Sequence, residues 1–348
     1  MFGGVWGGLR KRLSRRTRYP APAVPDTDAA QELRNELEDF YVRSEDRFRR
    51  LFLRGKPLRA KRRERPGLAC YAKAGLVDEL PFGIYVPRVR VFPLHGAMVA
   101  TDLLTHASAD QVFSLMLEQI YVVEKMSVRA DDRVLELCLG SGVNSIFASD
   151  VAATLTGVDL NPRALEFARF NFAVNPGRAR VEVREGSLFE PVAPEERFDL
   201  VLVNPPFELV PPGAEHFLHS HGGEDGLDVV RDILAGVADH LAPGGRFEMF
   251  TWSPGDDEGV LVADLLRDAF PDRRIEIHRV DSGSLDDRIA GFSSENGFAA
   301  WRDRLRAAGF TRVCGVFTRV CAEGPAETAF VEFPDVLGVC ADIVDEWT

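Results

Sequence analysis

No apolar run in this 348-residue chain approaches the length of roughly 20 residues that a membrane span requires. The front end is not expected to act as a secretory signal. Met1 to Gly8 is apolar and glycine-rich, but the basic residues Arg10 to Arg18 follow it instead of preceding it. Cysteine is scarce: the five residues Cys70, Cys138, Cys314, Cys321 and Cys340 are odd in number and never form a CxxC pair. This argues against a disulfide framework and against a zinc site built on paired cysteines, and it suits reduced thiols in a cytoplasmic protein. There is no internal repeat and no low-complexity tract, which excludes solenoid architectures. What remains is a chain with 45% hydrophobic and 28% charged residues, the balance of a globular protein, long enough for a catalytic domain and a smaller companion.

The charge is divided. Residues 1–70 hold 18 basic against 9 acidic side chains, so they carry +9 while the rest of the chain carries −21. The acidic body speaks against a broad phosphate-binding footprint, so nucleic acid is not the favoured partner. The basic front end, Arg47 to Arg65 in particular, reads first as a solvated helical face, with a polyanion partner as the alternative.

Three parts are expected. Residues 1–28 read as a basic, disordered arm, 29–120 as an N-terminal recognition module, and 121–348 as the catalytic domain. In the module, Gln31 to Leu53 has helical spacing and Leu68 to Leu76 reads as a second helix. Gly83 to Val86 and Val89 to Phe92 read as a small hairpin about Pro87, which suggests an α+β, winged-helix-like unit. Gln111 to Val123 reads as a connecting helix. From Arg133 onward, strands and helices alternate as in a doubly wound parallel sheet, with strands expected at 133–137, 154–158, 180–184, 198–203 and 246–250. Further strands are expected at 274–280 and, along the sheet's edge, at 313–321 and 329–333.

In such a sheet a ligand binds beyond the carboxyl ends of the strands, so the loops after Leu137, Val158, Arg184 and Val203 carry the interest. The first contains Glu136, Cys138, Gly140 and Gly142, and its glycines allow a ligand to approach the backbone closely. A dinucleotide fingerprint wants a third glycine where this chain has Ser145. The second loop offers Asp159, whose carboxylate suits the two hydroxyls of a ribose, or else caps the helix after Asn161-Pro162. In the third, Ser187, Leu188 and Phe189 stand where an adenine would be held. The fourth reads Asn204-Pro205-Pro206-Phe207. Two prolines stiffen it, the Asn204 side chain and the Pro205 carbonyl present rigid acceptors to an N–H, and Phe207 offers a ring for stacking. That set suits a planar nitrogen held toward an incoming methyl group, where orientation does most of the work.

Those four residues spell the (N/D)PP(F/Y) signature, and with the loops above the chain resembles class I S-adenosylmethionine-dependent methyltransferases of the small-domain group. That group includes release-factor glutamine methyltransferases and ribosomal-RNA guanine methyltransferases. Gly222 to Asp228 resembles the glutamine methyltransferases too, and the resemblance covers roughly residues 130–255. It implies a Rossmann-like seven-stranded sheet and S-adenosyl-L-methionine as cofactor. Glu136, Cys138, Gly140, Gly142, Asp159, Leu160, Ser187, Leu188 and Asn204 would lie around the cofactor, and Asn204, Pro205 and Phe207 would hold the substrate. Cys138 departs from the glycine usual at that point. The front module lacks the helical bundle expected of a standard glutamine methyltransferase, which speaks against release factors as substrate.

His216, His219 and His221 crowd the segment after the motif, with no carboxylate or cysteine pattern to complete a metal site. They are expected to line a mobile segment, Val210 to Gly226, that closes over the substrate, with His95 reaching in from the module. Trp252, Trp301 and Trp347 read as packing residues, and Asp281 to Asp287 as an acidic surface loop. Three functions stay open: N-methylation of an amide, amine or guanidine in a small molecule, peptide or protein; methylation of an exocyclic base nitrogen in RNA or DNA; and an inactive cofactor-fold scaffold.

Overall fold

The computed structural model describes residues 19–106, 108–214, 216–321 and 327–332, so Cys340, Trp347 and most of the expected N-terminal arm lie outside the described residues. The Asp26 side chain accepts the Ala29 N–H at 2.9 Å and opens α1 (Thr27–Arg43), which buries Leu33, Leu37 and Phe40. The single helix expected over 31–53 is broken at Ser44. A short α2 (Glu45–Phe48) runs into a π-turn, Arg49–Leu53. The module continues with β1 (Leu58–Arg59), one 3₁₀ turn at Arg62–Glu64, α3 (Arg65–Lys73), β2 (Val77–Leu80), β3 (Ile84–Pro87), β4 (Val89–Leu94) and β5 (Ala97–Asp102).

The two runs expected to pair with each other take different partners. β3 lies between β1 and β2, while β4 pairs with β5. Reversing a strand needs residues that accept positive φ, and these are His95 and Gly96 at 45° and 84°, not Pro87, which ends β3.

The catalytic part comprises α4 (Leu117–Lys125), β6 (Arg133–Leu137), α5 (Val143–Ser149), β7 (Thr154–Asp159), α6 (Pro162–Val174), β8 (Arg180–Glu185), β9 (Phe198–Val203), α7 (Asp228–His240), β10 (Leu241–Gly255), α8 (Leu261–Ala269), β11 (Ile275–Ser284), α9 (Leu285–Ile289), α10 (Phe298–Ala307), β12 (Arg312–Val320) and β13 (Thr328–Glu332). Its sheet has the order β13-β11-β12-β10-β9-β6-β7-β8. Neighbours from β10 through β9, β6 and β7 to β8 are parallel, as the alternating pattern predicts. β12 runs antiparallel between β10 and β11 instead of at the edge. Its residues from Val313 to Thr318 are buried without alternation, which fits an interior strand. Asp281 to Asp287, expected as a loop, forms the end of β11 and the start of α9.

The module is joined to the sheet layer through α6. Asn171 and Asn175, one turn apart and buried, each exchange a pair of hydrogen bonds with the backbone of β5. Asn171 bonds Ala100 at 2.8 and 2.9 Å, and Asn175 bonds Met98 at 2.9 Å both ways. Four residues of helix rise about 6 Å and two of strand about 6.8 Å, so the two amides match alternate strand residues and satisfy an otherwise open edge. Around them Phe167, Phe170 and Val174 of α6 share one core with Leu33, Leu37, Phe52 and Tyr71.

Candidate active site

The order of strands reverses between β6 and β9, and the loops after these two strands open onto a cleft of about 470 Å³. Glu136, Cys138, Gly140, Asp159, Leu160, Ser187, Leu188, Asn204, Pro205 and Phe207 all line it, and so do His219 and His221. Gly142 sits just behind, as the cap of α5 at φ 77°. A Cβ there would lie 3.2 Å from the Phe172 ring, so its role is close packing of helix on helix.

The floor is built by carboxylates in backbone-rich surroundings. Asp159 accepts the Gly140 N–H at 2.7 Å on one oxygen and the Asn161 N–H at 2.8 Å on the other. It is not the helix cap. Asn161 does that, accepting the Arg163 N–H at 3.0 Å. A carboxylate has about four acceptor positions, so Asp159 keeps capacity for two hydroxyls after these two bonds. Glu136 accepts from Asn144 Nδ2 at 2.9 Å and from the Ser145 hydroxyl, and burial pushes its pKa up to about 7. It therefore braces the start of α5 against β6. Ser145, absent from the dinucleotide fingerprint, is thus used here as a donor.

Two lining residues hold positive φ without being glycine: Cys138 at 57° and Leu188 at 48°. Strain of this kind collects where a loop is shaped for a ligand. Burial, with Asp159 and Glu136 beside it, pushes the Cys138 thiol upward, so it is a wall residue and not a nucleophile. Leu160, 59% exposed, presents an apolar side chain at the rim. Phe189, expected beside it, instead stacks on His240 with centroids 4.8 Å apart and does not line the cleft.

At the other end, the Asn204 side-chain oxygen is buried and has no hydrogen-bond partner, and Phe207 leans edge-on toward Phe250 at 6.5 Å. The segment beyond is held down. Glu208 donates its N–H to Ser220 at 2.7 Å, Val210 donates to Gly223 at 2.8 Å, and the buried Trp301 indole donates to Glu224 at 3.0 Å. The expected loose segment is thus laid across the site. Its three histidines go separate ways: His216 pairs with Glu208, His219 packs between Phe113 and Phe217, and His221 is exposed. The His219 Nε2 and Ser220 Oγ atoms, like Asn204 Oδ1, are buried without a partner.

His95 does not reach the cleft. It bonds Glu124 at 2.8 Å and meets Phe147 edge-on, because the β4–β5 turn that carries it lies against α4 and α5. The module's contribution comes instead through Gln111 to Leu115, residues outside any helix or strand that form one wall. The helix expected there begins only at Leu117. The Gln119 side chain accepts the Met116 N–H at 2.7 Å, and Val112 is engaged by Asp102. Glu118, in the first turn of α4, also lines the cleft, and burial raises its pKa to about 7. Helical spacing concealed this wall; the one local signal was Gln119 placed to cap a helix start at 116.

The strand order, with the glycine loop after β6, Asp159 after β7 and the Asn204 motif after β9, is the Rossmann-like arrangement of class I methyltransferases. Residues 105–265 match the family described as methyltransferase small domain. Among similar proteins, the ribosomal protein uL3 glutamine methyltransferase of Bradyrhizobium diazoefficiens is 41% identical over 126 residues, 33% of this chain and 39% of the relative. The release factor glutamine methyltransferase of Geobacter sulfurreducens is 37% identical over 123 residues, 32% of this chain and 42% of the relative. The chain thus spans well under half the length of either. A ribosomal protein L11 methylase structure from Lactobacillus delbrueckii aligns at 18% identity and a TM-score of 0.32, covering 44% of this chain and 65% of that one. That likeness is loose, and the fold rests on the strand order itself. Among the described residues, no helix is long and apolar enough to cross a membrane.

Proposed function

We propose that this chain methylates a side-chain amide nitrogen, that of a glutamine in a protein, using S-adenosyl-L-methionine. The observation that carries the reading is the Asn204 oxygen, buried and without a partner in the cleft. An orphaned buried acceptor costs on the order of 1–3 kcal/mol, and an N–H brought by the acceptor would remove that cost. The similarity to two glutamine methyltransferases supports an amide over an amine or guanidine.

Asp159 would take the ribose hydroxyls, with Gly140 and Cys138 against the cofactor's backbone-facing side and Leu160, Ser187 and Leu188 around its base. When bound, the cofactor supplies an electrophilic methyl carbon on a sulfonium. Asn204 Oδ1 and the Pro205 carbonyl accept the two N–H groups of the amide, which turns the nitrogen's π face toward that carbon. Phe207 covers the planar group from the side. The nitrogen would take that methyl carbon and release its proton to water. No strong base is needed, and His219 Nε2 and Ser220 Oγ would hold the rest of the acceptor. Residues 29–120 serve acceptor recognition ahead of a catalytic domain from 121 onward, and ribosomal or translation-factor acceptors would place the work in the cytoplasm.

The test is transfer of labelled methyl from the cofactor into fractionated extract, followed by mass spectrometry of the labelled protein. Label on glutamine in protein, lost in Asn204→Ala with cofactor binding retained, supports the proposal. Label in RNA or small metabolites, or on a carboxylate oxygen, overturns it.

A further inference from the structure

The module carries a surface that the transfer chemistry does not use. Between Arg54 and Arg65 seven basic residues (Arg54, Lys56, Arg59, Lys61, Arg62, Arg63 and Arg65) are all exposed, against one acid, Glu64. That acid is committed internally, accepting from Arg47 through both oxygens at 2.7 Å and from the Lys61 N–H at 2.8 Å. Beside these cations stands Phe82, 84% exposed. Its backbone is left-handed, φ 66° and ψ 17°, an arrangement that strains a bulky residue. The register of β1 with β3 sets Arg59 opposite Ile84, and Ala60 donates its N–H to Gly83 at 2.8 Å. The Arg65 guanidinium lies 3.5 Å from where a Gly83 Cβ would be. Arg59 and Arg65 therefore flank the turn that carries the ring. Of the nearby carboxylates on β2, Asp78 pairs with Arg88 at 2.6 Å and Glu79 faces Tyr85.

We propose that this face binds single-stranded RNA, with the arginines and lysines on phosphates and Phe82 stacked on a base. Strain and exposure together make no sense for a packing residue. An aromatic ring among cations is the pairing that single-stranded nucleic acid requires. An acidic protein would use the cations but has no need of the ring. The rest of the chain is net negative and repels polyanions, which confines such binding to this module. The proposal is independent of the methyl acceptor.

The test uses the full chain and a fluorescein-labelled single-stranded RNA of about 20 nucleotides, followed by anisotropy from about 50 to 300 mM salt. Binding should weaken with salt at a slope of about −0.7 per phosphate contact. Arg62→Glu with Arg63→Glu should flatten that slope by roughly 1.4 or more. Phe82→Ala should weaken binding roughly tenfold and leave the slope alone. Phe82→Gly, which fits the left-handed backbone, serves as a second variant if the alanine variant is unstable. Cofactor affinity should be unchanged in all of them. Absence of binding at about 50 mM salt overturns the proposal, and so does RNA binding indifferent to Phe82. Equal affinity for polyglutamate overturns it too, and would assign the face to an acidic protein.

Discussion

Asp102 accepts the Arg163 Nε–H at 2.8 Å, and the same carboxylate oxygen accepts the Val112 N–H at 2.9 Å. The two side chains are 0% and 10% exposed, so one buried charge pair ties the end of β5, the cleft wall and the first turn of α6. Removing the cation leaves a buried carboxylate without its partner, which costs about 3–5 kcal/mol. Arg163→Leu should therefore lower the urea midpoint sharply. It should also weaken binding of S-adenosylmethionine measured by calorimetry, since the Gln111 to Leu115 wall loses its anchor. Unchanged cofactor affinity in a folded variant would refute this role.

His219 should make the protein acid-sensitive. Burial, with His216 nearby, pushes its pKa down to about 3, while an unfolded histidine titrates near 6.5. Below about pH 6.5 the unfolded chain binds the extra proton, so stability present above that pH is lost as pH falls toward 3. The loss at pH 5 should be on the order of 1–2 kcal/mol, with allowance for partial exposure. Urea midpoints at pH 7 and 5 should converge in His219→Gln relative to wild type. An identical drop in both proteins would show that another group is responsible.

Glu118 works in the opposite direction. Burial raises its pKa to about 7, with Arg288 opposing and Glu208 reinforcing. The folded state then holds a proton that the unfolded state has lost, so stability present below about pH 4.5 declines as pH rises toward 7. Glu118→Gln should raise the melting temperature near pH 8 and leave it unchanged near pH 4. Equal effects at both would exclude a titrating carboxyl.

Cys138 tests the strained loop after β6. At φ 57°, glycine relieves a cost of roughly 1–2 kcal/mol and returns part of it as unfolded-state entropy. Cys138→Gly should be neutral to slightly stabilising and keep cofactor binding, whereas Cys138→Val should lose stability. Differential scanning calorimetry decides, and equal melting of the two variants would argue against strain at this position.

Much of the catalytic half is legible in the sequence. β6 and β9 fall at 133–137 and 198–203 as read, and β7 and β8 each run one residue further, because buried parallel strands are apolar runs bounded by turn residues. Asn204 was legible because two prolines isolate it from any regular element. The front half was harder. Its hairpin was misassigned because Pro87 looks like a turn and His95 does not. The Gln111 to Leu115 wall was hidden because a tertiary bond from Asp102, not local periodicity, holds it in place.

By itself the sequence determined the alternation of strands and helices, the glycine loop, the Asn-Pro-Pro-Phe motif and the separation of charge, since each depends on residues close together along the chain. Only the tertiary structure decided that Asn161 and not Asp159 caps α6, that His219 is sandwiched by phenylalanines while His95 turns away, and that a strained Phe82 stands among arginines. Those outcomes depend on which surfaces meet, through bonds such as Arg163 to Asp102 that span 61 residues and leave no periodic trace in the chain.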